Sequence, residues 1–204
     1  FMATKNASSE FRILSLSGGG YLGMYTAVVL ADLEARVGEP LGRRFDLIAG
    51  TSVGGLLGLA LAYEVPMAQI VKLLVEKGED IFSARKLPSG AVTRLLDLTR
   101  SVLGPKYTGE TLRQELTRHL GERTLGDALH AVVIPAVDVS RCATKVFKTP
   151  HADTSLGDED VRAVDVAMAT SAAPAYFPSV QIGRTLYPFL QAEQRVLERP
   201  DELI

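Results

Sequence analysis

DLIAGTSVGGLLGLAL, residues 46–61, contains the pentapeptide Gly50-Thr51-Ser52-Val53-Gly54, which fits G-x-S-x-G. An apolar stretch, Phe45 to Ala49, precedes it and predicts a short buried strand; the small residues from Val53 to Tyr63 predict a helix entered directly from that strand. A serine between a strand and a helix occupies a strained turn, and the residues two positions either side must be small for the two elements to close on each other. Gly50 and Gly54 meet that need. Ser52 is therefore the candidate nucleophile, with Oγ projecting from the strand end and the Val53 amide at the helix N-terminus available to a developing oxyanion. The same region, Leu47 to Tyr63, is the longest uncharged run and is close to the lower limit of about 17 residues for a membrane span. Its glycines at 50, 54, 55 and 58 favour strand, turn and helix over a span.

Upstream, residues 14–38 read LSLSGGGYLGMYTAVVLADLEARVG, and Gly18, Gly20 and Gly23 fit G-x-G-x-x-G. Phe11 to Leu16 predicts a buried strand. Met24 to Val37 predicts a helix with Ala27, Val28, Leu30, Ala31 and Leu33 on its apolar face, stopped by Gly38 and Pro40. A dinucleotide fingerprint also requires an acid ending the next strand, about 20 residues on. Here Asp32 and Glu34 lie inside the helix and Glu39 in its terminating turn, so that part is missing. No G-x-x-x-x-G-K-[ST] occurs either, which excludes a P-loop. The glycines instead suit a second set of oxyanion donors: Gly18, Gly19 and Gly20 can turn backbone N–H groups toward the carbonyl that Ser52 would attack.

Beyond Pro66, MAQIVKLLVEKGEDIF predicts an amphipathic helix with Ile70, Leu73 and Leu74 on one stripe. Arg85 to Lys106 predicts a loop and then a short helix. Leu112 to Leu120 predicts a helix, AVVIPAVDV from Ala131 a buried strand, TKVFKT a partner strand, and Val161 to Thr170 a helix. Strands alternating with helices predict an α/β fold, its sheet covered on both faces.

The chain has 204 residues, 47% of them hydrophobic, enough for one domain with a core of its own. A formal net charge of −2 argues against DNA or RNA as a partner. Cys142 is the sole cysteine, which excludes an internal disulfide framework and fits a reducing compartment. Residues 1–10 are expected to be a disordered or cloning-derived leader without secretory character, leaving 11–204 as the domain.

SGGGYLG, GTSVGG and ATSAAPAYFPSV together make the chain resemble the patatin-like phospholipases, over roughly Phe11 to Tyr187. The stretch ILSLSGGGYLGMYTAVVLADLE further resembles the bacterial branch with cyclic-dinucleotide-activated effectors of anti-phage defence. The resemblance implies a patatin-like three-layer α/β/α fold with a mainly parallel central sheet, and a serine-aspartate dyad that cleaves phospholipid esters through an acyl-enzyme. It implies no metal or other cofactor, a phospholipid substrate at a membrane surface, a cyclic-dinucleotide activator, and a cytoplasmic protein peripheral at the inner membrane when active. Two departures stand out. Leu22 occupies a position where the family commonly carries Arg or Lys, and no Asp-Gly-Gly or Asp-Gly-Ala follows AAPAYFP, where the catalytic aspartate is expected. One expectation is that a segment carrying it is absent between Tyr187 and Pro188; the alternative is a ligand-sensing module whose hydrolase site is dormant or lost.

Other signals are weaker. A triad of Ser52, Asp138 and His151 would follow the chain order of ordinary α/β hydrolases. His119, His130 and His151 are otherwise expected in solvated or loop positions, and Asp158, Glu159 and Asp160 at a solvated helix start. Tyr176 and Phe177 are candidates for an acyl pocket. The basic residues from Arg85 to Lys106, beside Val92, Leu95 and Leu96, are candidates for docking on anionic lipid.

Overall fold

The computed structural model describes residues 10–82, 109–138, 141, 143–151, 157–172, 180–183 and 185–187. Four strands form the sheet in the order β1 (Ile13–Leu16), β2 (Leu47–Gly50), β3 (Val132–Asp138), β4 (Ala143–Lys148). The first three run parallel and β4 returns antiparallel along β3. This is the mainly parallel α/β sheet that the alternation of elements predicts. Parallel alignment brings the C-terminal ends of β1 and β2 together, with Leu16 opposite Gly50, so both glycine-rich turns leave the sheet at one place.

β1 is less buried than the pattern predicts. Phe11 and Ile13 are 62% and 53% exposed, whereas Leu16 is buried. The cause is the strand order: β1 ends the described sheet, and only the face it shares with Ile48 is covered.

Helix α1 (Gly23–Val37) ends as predicted, with Gly38 left-handed at φ 75° and donating to the Glu34 carbonyl. Ala27 and Leu30 point inward, but Val28 and Leu33 are 45% and 43% exposed, because only one stripe of the helix meets neighbours. Helix α2 (Val53–Ala62) buries every residue except Leu56. It lies close to the sheet because Gly58 has no side chain: a Cβ there would sit 3.3 Å from Ile48 Cγ2. Helix α3 (Met67–Phe82) follows Pro66, and its first amide donates to Glu34 Oε2 at 3.3 Å, so α1 caps α3.

Helices α4 (Glu110–Leu120) and α5 (Ala163–Ser171) match their predicted positions within two residues. A small antiparallel hairpin, β5 (Val180–Ile182) with β6 (Thr185–Tyr187), has no counterpart in the sequence reading, since three residues are too few to display alternation. Among the described residues no helix is long and apolar enough to cross a membrane. The leader at 1–9, the basic segment 85–106, Cys142, Tyr176, Phe177 and everything after the Tyr187–Pro188 junction lie outside the described residues.

Candidate active site

Ser52 joins β2 to α2 at φ 55° and ψ −127°. An L-residue rarely adopts this conformation, which costs about 1–3 kcal/mol and persists where the surroundings over-determine it. Here they do. Thr51 donates its N–H to the Leu16 carbonyl at 3.2 Å, Gly54 to Thr51 at 2.9 Å, and Leu56 to Ser52 at 3.0 Å. The Ser52 N–H goes to the hydroxyl of Thr170, 118 residues away, at 3.0 Å. That hydroxyl is wholly buried and donates onward to the Pro135 carbonyl in β3 at 2.8 Å. Thr170 thus ties the turn to β3, at the point where β2 has ceased pairing with it. The sequence analysis placed Thr170 in a helix without assigning it a function; no local pattern marks such a contact.

The flanking glycines have the steric role that the motif predicts. A Cβ on Gly50 would fall 2.3 Å from the Gly54 carbonyl oxygen, and one on Gly54 would fall 2.2 Å from the Leu16 oxygen and 2.7 Å from that of Ser17. Backbone cannot yield to such contacts. The first glycine turn therefore lies directly against the second. Within it, Gly19 sits at φ 148° and Gly20 at φ 57°, and the Leu22 N–H closes a 3-10 turn on the Gly19 carbonyl at 3.2 Å. Gly23 completes the approach: a Cβ there would come within 2.5 Å of both Val53 γ-carbons. The Val53 amide opens α2 and has no acceptor within its own helix. Gly18, Gly19, Gly20, Ser52 and Val53 are thus gathered at one end of the sheet, with the Ser52 residue itself partly exposed.

The dinucleotide reading fails in three dimensions as well. Asp32 pairs with Arg36 on an exposed face at 2.8 Å and Glu34 caps α3, so neither reaches the end of β2. The triad alternative is also overturned. Asp138 ends β3 on the side where β2 delivers Ser52, and it is buried, accepting the Arg141 N–H at 3.2 Å. His151 lies beyond the other end: antiparallel β4 carries the chain back to Val132, where Thr149 bonds both the Val132 N–H and the His151 ring. The length of β3, about 20 Å at ~3.3 Å per residue, separates the two.

Two polar clusters depart from expectation. His130 is not solvated; it is half-buried, with Nε2 3.1 Å from Glu64 Oε1. Glu64 also receives Arg43 through both oxygens, at 2.7 and 2.9 Å. The Arg43 hydrogen bond, with a contribution from His130, holds the Glu64 carboxyl below its ordinary value of 4.5. Asp158, expected at a solvated helix start, is buried; both its oxygens accept from Lys145 Nζ, at 2.7 and 2.9 Å, and it caps the Lys148 N–H. Tertiary folding brings β4 over it, which no local pattern encodes. Behind the site, burial pushes the Tyr63 phenol up to about 12, and its O–H donates to the Thr124 carbonyl. Among the described residues no group of histidines, cysteines and carboxylates could hold a metal.

Comparison with known proteins agrees with this architecture. The model of the patatin-like phospholipase family matches residues 14–189. A cGAMP-activated phospholipase of Pseudomonas aeruginosa (strain BWHPSA011 / Pa011) is 44% identical over 177 residues, covering 87% of this chain and 51% of the relative. Another cGAMP-activated phospholipase, from Escherichia coli (strain TW11681), is 37% identical, covering 81% of this chain and 47% of the relative. The chain thus spans about half the length of the curated relatives it matches. Among solved structures, VipD from Legionella pneumophila superposes with a TM-score of 0.51 at 14% identity, over 87% of this chain and 45% of that one, a likeness of fold. With the family model matched from β1 to the end of the β5–β6 hairpin, and both glycine turns inside the match, this chain belongs to the patatin-like phospholipase family.

Proposed function

We propose that residues 11–204 form a serine-dependent lipid acyl hydrolase of the phospholipase A type. Ser52 Oγ attacks an ester carbonyl, the amides of Gly18, Gly19, Gly20 and Val53 take the developing oxyanion, and water hydrolyses the resulting acyl-enzyme. One observation carries this reading: the φ 55° turn at Ser52 is pressed against the first glycine turn with no room for a Cβ at Gly54. The expected base is an aspartate of the Asp-Gly-Gly or Asp-Gly-Ala type, and this sequence contains neither.

The names of the relatives support a cyclic dinucleotide as activator, action on membrane phospholipid in the cytoplasm at the inner membrane, and a place in defence against phage. Ester hydrolysis by the parent, with and without 3′,3′-cGAMP, compared with Ser52→Ala, tests the proposal. Activity abolished by the substitution is the expected result. A parent inert under every condition favours the second reading, a ligand-sensing module with a lost hydrolase site, which the absent Asp-Gly-Gly motif supports.

A further inference from the structure

Helix α2 has two dissimilar sides. Gly55 and Gly58 rest on the sheet, whereas Val53, Leu56 and Ala60 line an apolar cavity completed by Ile70 and Leu74 of α3 and Leu116 of α4. The space is about 560 Å³, part of it open to solvent, which lies within the range of roughly 300–1,000 Å³ usual for small-molecule pockets. Its inner surface is almost wholly carbon. Two polar residues stand in the wall, Glu115 and His119; the Glu115 carboxylate accepts from Arg118 Nη1 at 3.2 Å.

Val53 belongs to both places. Its backbone amide opens α2 immediately after Ser52, and its side chain forms one end of the cavity. From Val53 to Ala60 the helix rises about 10 Å, room for roughly eight methylenes at a projected ~1.3 Å per carbon–carbon bond. We infer that this cavity receives the acyl chain of the ester whose carbonyl lies at Ser52, an inference that rests on the hydrolase reading above. An alkyl chain is the occupant such walls suit: carbon faces it along the length of α2, and each methylene taken from water favours binding by about fourfold. This wall is formed by α2, α3 and α4, and is distinct from the segment around Tyr176 and Phe177 to which the sequence assigned that role.

The test compares nitrophenyl laurate with nitrophenyl butyrate for the parent, Leu116→Trp and Leu116→Ala. Filling the cavity with Trp lowers the laurate-to-butyrate ratio of kcat/KM by at least about tenfold. Enlarging it with Ala shifts preference toward longer chains. A ratio equal to the parent's in both variants overturns the inference. Should either variant fail to fold, Ser52→Ala is titrated with a dansyl-labelled undecanoate; saturable binding displaced by laurate supports the cavity, and no uptake overturns it. A parent that cleaves neither ester overturns the hydrolase reading and the acyl assignment with it, a result distinct from an active parent whose ratio does not move.

Discussion

Thr170 Oγ1 accepts the Ser52 backbone N–H at 3.0 Å, and the same hydroxyl donates to the Pro135 carbonyl at 2.8 Å. The turn that carries the candidate nucleophile is thereby hung from β3 through one buried side chain on α5, rather than by strand pairing.

Removing that hydroxyl while keeping the shape should release the turn. Thr170→Val is expected to lower kcat about 10- to 100-fold with little change in KM, since displacing a reacting group by ~1 Å costs on that order. Thr170→Ser, which retains the oxygen, should recover most of the rate. Labelling of Ser52 by a fluorophosphonate should slow in parallel; equal loss in both variants would point to packing by the Thr170 methyl instead.

Gly23 couples the two glycine turns through its contact with Val53. Gly23→Ala places a methyl within 2.5 Å of the Val53 γ-carbons and pushes the start of α2 away from the first turn. Hydrolysis is expected to fall about 10²-fold or more, the usual cost of losing an oxyanion donor. Circular dichroism of the variant should still show a folded protein; undiminished activity would mean that the contact does not set the donor geometry.

Gly54→Ala is a stability experiment. Its Cβ meets backbone at 2.2 Å, and the Leu16 carbonyl cannot swing aside without breaking its bond from Thr51. Overpacking of this kind costs roughly 3 kcal/mol, which for a chain of this size lowers Tm by roughly 10 °C. A melting temperature matching the parent's would show that the strand and helix are farther apart.

The pH dependence of stability follows from Glu64, whose folded-state carboxyl lies below its ordinary 4.5. A depressed carboxylate stabilises the folded state at pH above the unfolded value, and that stability is lost as the pH falls through the folded value. The stability difference between parent and Glu64→Gln should therefore be largest above about pH 5 and shrink toward pH 3. Urea titrations at several pH values read it directly; a difference that does not vary with pH would assign the cluster's effect to shape rather than charge.

How much of this was written in the sequence depends on the range of each interaction. G-x-S-x-G between an apolar run and a small-residue helix announces the turn at Ser52 because its requirement is local: residues two positions away must lack side chains, and Gly50 and Gly54 do. The helices α1 to α5 and strands β2 to β4 were likewise legible from periodicity and stop signals. What only the tertiary structure decided concerns groups remote in the chain. Strand order left β1 at an edge with Ile13 exposed, and the antiparallel return of β4 carried His151 away from Asp138. The same folding brought Lys145 onto Asp158, Glu64 onto His130 and Thr170 onto Ser52. A hydroxyl or carboxylate in a sequence carries no mark of its distant partner; the closure of the sheet and the packing of helices on it determine which polar groups must satisfy one another once water is excluded.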